Sequence, residues 1–164
     1  EALAVIRETN PSRPVVIGPG DWNGIGALGR LELPPEDRRL VVTFHYYAPF
    51  EFTHQGAEWV PSSQRWLGTT WEGTPAQQEA VRRDLDKALA WAQKEGRPLL
   101  MGEFGAYSKA DMASRVQWTA FVAREAELRG ISWAYWEFCA GFGAYDPQSG
   151  TWREPILKAL IPSP

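Results

Sequence analysis

Short apolar runs and longer amphipathic segments alternate along the chain. The runs are "PVVIG" (14–18), "RLVVTFHYY" (39–47), "RPLLMGEFG" (97–105) and "GISWAYWEF" (130–138). They are rich in β-branched or aromatic residues and mostly bounded by Gly or Pro, which predicts four strands. Their hydrophobicity is continuous rather than alternating, the pattern of parallel strands covered on both faces.

The segments between them read as helices. In "TPAQQEAVRRDLDKALAWAQKEG" (74–96), Thr74 is the N-cap, Pro75 takes the first helical position and Gly96 stops the helix. Val81, Leu85, Ala88, Leu89 and Ala92 follow at helical spacing. "KADMASRVQWTAFVAREAELRG" (109–130) repeats the plan, with Val116, Ala120, Phe121, Ala123 and Leu128 as its apolar positions and Gly130 as terminator. "EALAVIRETNP" predicts a first helix ended by Asn10 and Pro11, and "TWREPILKAL" (151–160) a short closing helix. The result is a helix followed by four strand-plus-connection units, an α/β series with right-handed crossovers expected. At 164 residues and 44% apolar, one domain over 1–164 with one core is the simplest reading.

Charge narrows the partners. Seventeen basic and twenty acidic residues give a formal net charge of −3 without a run of like charge, so neither nucleic acid nor an anionic membrane is expected as a partner. No stretch approaches about 18 consecutive apolar residues, and "EALAVIRETN" lacks the basic and apolar regions of a secretory signal. The chain begins with Glu1, as expected if a leader has been removed. A lone Cys139 excludes an internal disulfide, and with only His45 and His54 as imidazoles no metal or other cofactor is expected. "GPGDWNGIG" (18–26) lacks the ordered fingerprint of a dinucleotide site. Nine Trp, five Tyr and seven Phe are the unusual feature: they suit a core or a surface that grips flat, apolar-faced ligands.

The strand ends concentrate chemistry. Glu103 closes the third strand, His45 and Tyr47 the second, Trp136 and Glu137 the fourth. Carboxyl ends of parallel strands are where α/β sheets and barrels assemble ligand sites. Taken singly, Glu103 reads more readily as a helix or loop anchor and His45 as a structural histidine; convergence on one rim argues for a site. Trp22, Trp59 and Trp71, in segments after strands, are candidate aromatic platforms or loop anchors.

"TFHYYAPFEFTHQGAEW" (43–59), "MGEFGAY" (101–107) and "SWAYWEFCAGFGAYD" (132–146) closely resemble the cellulases of glycoside hydrolase family 5, with "TNPSRPVVIGPGDWN" (9–23) extending the likeness. The resemblance implies a TIM (β/α)8 barrel and endo-β-1,4-glucanase activity with retention of configuration. It assigns Glu103 as nucleophile, His45 and Tyr47 as lining the reacting subsite, and Trp136 as the floor under the sugar. It implies β-1,4-glucan or cello-oligosaccharide as substrate and a secreted, extracellular location. A retaining glycosidase needs an attacking carboxylate and a second carboxyl group about 5–5.5 Å away as acid/base.

The likeness covers only units 5 to 8 of the family barrel and the helix of unit 4. A whole barrel takes roughly 200 residues or more, so this chain reads as a half-barrel of four parallel strands with flanking helices. The family's earlier motifs, including the Asn-Glu pair that holds the acid/base, have no counterpart. Half a barrel leaves two open sheet edges, which leads to the expectation of a homodimer that rebuilds eight strands. Glu137 is then the candidate substitute acid/base, with Asp21 and Glu51 as weaker candidates. Two alternatives stay open: a half-barrel that binds glucan without turnover, and a purely structural fragment.

Overall fold

The computed structural model describes residues 1–162. Four parallel strands stand in sequence order: β1 (Val15–Ile17), β2 (Leu40–Tyr46), β3 (Leu99–Phe104) and β4 (Ser132–Trp133). Helix α1 (Ala2–Thr9) precedes them, tied by Arg7 to Asp37 at 2.7 Å. A single distorted turn, α2 (Gly20–Asn23), and a 3-10 helix over Ile25–Arg30 connect β1 to β2. The short helix α3 (Phe50–Thr53) and a 3-10 turn over Ser63–Trp66 follow β2, and then α4 (Pro75–Glu95) leads into β3. Helix α5 (Met112–Leu128) joins β3 to β4. A small antiparallel hairpin, β5 (Tyr145–Asp146) with β6 (Thr151–Trp152), comes before the closing helix α6 (Glu154–Leu160). This is half of a TIM barrel laid out as the sequence predicts, and no helix among the described residues is long and apolar enough to cross a membrane.

Local chemistry explains the long helices. The Thr74 side chain accepts from the Gln77 N–H while the Gln77 side chain accepts from the Thr74 N–H, a reciprocal capping box that satisfies two otherwise unpaired donors. Pro75 fits the first turn, and Gly96 ends α4 in the left-handed region at φ +61. Asp111 caps α5 through the Ser114 N–H.

Three expectations are corrected. Helix α5 does not bury the face read from its sequence: Arg115, Trp118, Thr119, Val122, Ala123 and Ala126 point inward, while Leu128 is 80% exposed. Arg115 and Glu125 sit on the inner side, and their charge masked the true stripe. The fourth strand is shorter than 130–138, although the Ala134 and Trp136 N–H groups continue to donate to Met101 and Phe104 carbonyls at 2.9 Å. The predicted closing helix starts only at Glu154, because Thr151 and Trp152 pair with Asp146 and Tyr145 instead.

The sheet buries one face. Val42, Phe44 and Tyr46 of β2 and Met101 and Phe104 of β3 meet Val81, Leu85 and Ala88 of α4 and Trp118, Val122 and Ala126 of α5. Glu125 ties these helices, paired with Arg82 at 3.0 Å and Arg129 at 2.6 Å; a carboxylate that is 7% exposed is tolerated only with such partners. The opposite face carries Val16, Val41, Thr43, Leu100, Ser132 and Ala134, none of them buried.

Candidate active site

A register break creates the central contact. Along β2 and β3, Phe44 pairs with Met101, but His45 pairs with Glu103, so Gly102 is an extra residue on β3. Regular alternation would turn Glu103 outward with Met101. The bulge instead sets it beside His45 on the open face and sends Phe104 into the core, where it is 0% exposed.

Two side chains converge on the same carboxylate oxygen. The Tyr47 hydroxyl donates to Glu103 Oε2 at 2.8 Å, and His45 Nδ1 lies 3.3 Å from it. The amide of Asn23 donates to His45 Nε2 at 3.2 Å, which places the ring proton on Nδ1, facing the carboxylate. Burial lowers the pKa of His45, against the opposing pull of Glu103, and so favours a neutral ring. Burial, and then the hydrogen bond to Glu103, hold the Tyr47 phenol well above its ordinary value, keeping it a donor. Asn23 reaches His45 from a turn in which Asp21, Trp22 and Asn23 all have positive φ, between 50 and 60. Such a run in non-glycine residues stores strain, a feature that clusters at functional sites.

Around this centre opens a cleft of about 1290 Å³ with aromatic walls. Trp22, Trp59 and Trp136 line it at 92%, 58% and 45% exposure, faces available to a ligand. His54 stacks on Phe50 with ring centroids 4.0 Å apart and meets the rings of Tyr47 and Phe142 edge-on. Burial in this cage lowers its pKa to about 4, so it is neutral at ordinary pH. Trp59 stands edge-on to Tyr107 at 4.9 Å, and the Tyr107 hydroxyl donates to Glu58 at 2.7 Å, bracing the wall.

The other sequence candidates separate. Glu137 borders the cleft beside Trp136, but its Oε2 accepts the N–H groups of Cys139 and Ala140 at 3.0 and 2.8 Å, and its Oε1 that of Phe142 at 3.1 Å. Both oxygens are thus engaged in holding the loop, a geometry suited to an anchor more than to a proton donor. Asp21 lies at the rim, paired with Arg30. Glu51 is exposed on α3, outside the cleft lining. Trp71 is corrected: at 1% exposure, packed on Phe121, it belongs to the core and offers no platform. No group of three or more His, Cys, Asp or Glu among the described residues could hold a metal.

Sequence reading missed Asn23, His54 as a wall residue, Tyr107 and Phe142. The only signal was position, since each follows a strand end; the contacts that matter are long-range.

The sequence model of the family "Cellulase (glycosyl hydrolase family 5)" matches residues 1–141. Endoglucanase H of Acetivibrio thermocellus is 38% identical over 97% of this chain and 17% of its own length. Endoglucanase C of the same organism is 29% identical over 98% of this chain and 53% of its own. A structure of Thermotoga maritima Cel5A in complex with cellobiose superposes with a TM-score of 0.95 at 50% identity, covering 98% of this chain and 52% of that one; a second was solved with mannotriose. The chain thus spans about half the length of the solved relatives it matches. Half a barrel that keeps this likeness along nearly its whole length has a single origin: the chain belongs to the glycosyl hydrolase family 5 cellulases.

Proposed function

We propose that this chain carries the nucleophile half of a retaining endo-β-1,4-glucanase site that acts on β-1,4-glucans and cello-oligosaccharides. The observation that carries the reading is Glu103 on the cleft floor, with Tyr47 and His45 both on its Oε2. Endoglucanase relatives, and the cellobiose complex of one of them, support the substrate class. In this mechanism Glu103 attacks the anomeric carbon as the bond to the leaving oxygen breaks. A second carboxyl group protonates that oxygen and then activates the water that releases Glu103. Tyr47 and His45 orient the nucleophile, while Trp136, Trp22 and Trp59 stack on apolar pyranose faces.

The second carboxyl group comes, in this proposal, from across the open edges of the sheet, on polypeptide that pairs with β1 and β4. A second copy of this single half-barrel domain is one source. The helices argue for a different one. In a closed barrel each seam between strands is covered by one helix. In the chain α1 precedes β1 and α6 follows β4, so a twofold dimer built on the barrel plan brings both to the same seam. A segment of four strands and three helices avoids that crowding. A second reading, binding without turnover, is favoured by the engaged carboxylate of Glu137.

The test is release of reducing sugar from a soluble β-1,4-glucan by the purified chain, alone and mixed with the half of Thermotoga maritima Cel5A that it does not cover. Glu103→Gln is carried in parallel. The expected result is turnover on mixing that falls at least about 10³-fold in Glu103→Gln, with oligosaccharide binding retained. Turnover that persists in Glu103→Gln removes the nucleophile assignment. Turnover by the chain alone, at twice its monomer mass, establishes the homodimer, and binding with no turnover in any mixture establishes the second reading.

A further inference from the structure

The loops that follow β3 and β4 meet at one buried guanidinium. Arg115, on α5, is 3% exposed. Its Nε donates to the Ala106 carbonyl at 3.0 Å and its Nη2 to the Phe142 carbonyl at 3.1 Å. Ala106 lies three residues beyond Glu103 in the chain, and Phe142 lines the cleft. The Tyr135 hydroxyl donates to the same Phe142 carbonyl at 2.9 Å, while the Phe142 N–H is held by Glu137. Residue 142 is thereby fixed through both of its backbone groups. The two loops touch elsewhere too: the Ser108 N–H donates to the Gly141 carbonyl at 2.9 Å, and a Cβ on Gly105 would run into the Trp136 carbonyl oxygen.

This is an expensive way to fill a core. Burial works against the Arg115 charge and pulls its pKa down. Among the described residues no carboxylate lies within 4.0 Å of it, so the two carbonyl dipoles and the neighbouring Tyr135 hydroxyl supply the compensation. An apolar side chain of similar length would fill the space without that penalty. What the guanidinium adds is a rigid fork whose donors hold two carbonyls from different loops at a set spacing.

We propose that Arg115 is a positioning residue that sets the distance between the Glu103 loop and the Trp136–Phe142 wall of the cleft. It acts through the backbone of both loops and does not touch the ligand. The consequence for ligand affinity rests on the reading of the cleft as a glucan site; the loop tie itself does not.

Arg115→Lys and Arg115→Met are compared with Arg82→Met, which removes a partner of buried Glu125 in the α4–α5 contact, away from the loops. Cellotetraose affinity is followed by tryptophan fluorescence, and hydrogen exchange is followed across 137–145. Arg115→Met is expected to weaken affinity about tenfold and to raise exchange in 137–145. Arg115→Lys, with a single donor head, is expected to fall between it and the native chain. Arg82→Met is expected to lower Tm while affinity stays within about twofold and 137–145 stays protected. Native affinity and native exchange in folded Arg115→Met overturn the proposal, as does an equal loss of affinity in Arg82→Met. If Arg115→Met does not fold, Arg115→Lys decides by the same two readouts. A native chain that ignores cellotetraose sinks the glucan reading alone, and unchanged exchange in folded Arg115→Met, or in Arg115→Lys where Arg115→Met does not fold, sinks the tie alone.

Discussion

The two faces of the sheet are made from neighbouring residues of the same strands, yet their surroundings are opposite. On β2, Val42, Phe44 and Tyr46 are buried beneath α4 and α5, whereas Val41, Thr43 and His45, which alternate with them, look onto the open side. The covered face is held by apolar burial and close packing. The open face is held by polar contacts among a few residues, Asn23 to His45 to Glu103 to Tyr47, and by loops pinned through backbone groups. Stability is thus concentrated on one side of a single layer and chemistry on the other. Substitutions on the open side are expected to disturb the fold less than those on the covered side.

That contrast is breakable at several points. The largest effect is expected on the covered face: Trp118→Ala should lose about 3–5 kcal/mol of unfolding free energy in a denaturant titration. Trp118 is 0% exposed, packs near Phe52, Phe104 and Tyr46, and donates from Nε1 to the Ala48 carbonyl. A loss under about 1 kcal/mol would show that this face does not dominate stability. On the open side, Trp136→Ala should weaken cello-oligosaccharide binding by roughly 1–3 kcal/mol and barely move Tm. Unchanged affinity in a fluorescence titration would remove Trp136 from the binding surface.

Between the two lies His54, caged by aromatic rings at the edge of the cleft. Its folded pKa of about 4 is below the ordinary 6.5, so between those values the unfolded chain binds a proton that the folded chain refuses. Its contribution is complete above pH 6.5 and declines as pH falls toward 4, by about 2 kcal/mol after allowance for solvent screening. His54→Gln should flatten that part of a Tm-against-pH profile, and an unchanged slope would reassign the acid sensitivity to other groups. The smallest effect is expected for Leu100→Ala on the open face, under about 1 kcal/mol for the chain alone. A loss as large as that of Trp118→Ala would mean that the open face is covered in solution, which sharpens the question of what pairs with the sheet edges.

Much of this was legible in the order of residues. Helix α4 could be read to within a residue of its ends because Thr74, Pro75 and Gly96 act locally and are satisfied locally. The limits of helix α5 are legible but its inner face is not, since a buried Arg115 and Glu125 break the apolar stripe and find partners that include distant segments, the Ala106 and Phe142 carbonyls and Arg82. Trp71 could not be told from Trp22 by sequence: both follow strands, and only packing put one in the core and the other at 92% exposure.

The chain's own pattern determined the series of parallel strands and helices, because a continuous apolar run, a 3.6-residue period and a capping residue are properties of neighbours along the backbone. It also marked Glu103, His45, Tyr47 and Trp136 as candidates, because strand ends share a rim in this architecture. Which way Glu103 points was decided by the tertiary structure. Simple alternation from Met101 would have turned its carboxylate outward toward the helices; the extra residue at Gly102 turns it to His45 and Tyr47 instead. That register is a relation between two strands separated by the whole of α4, and no stretch of sequence contains it.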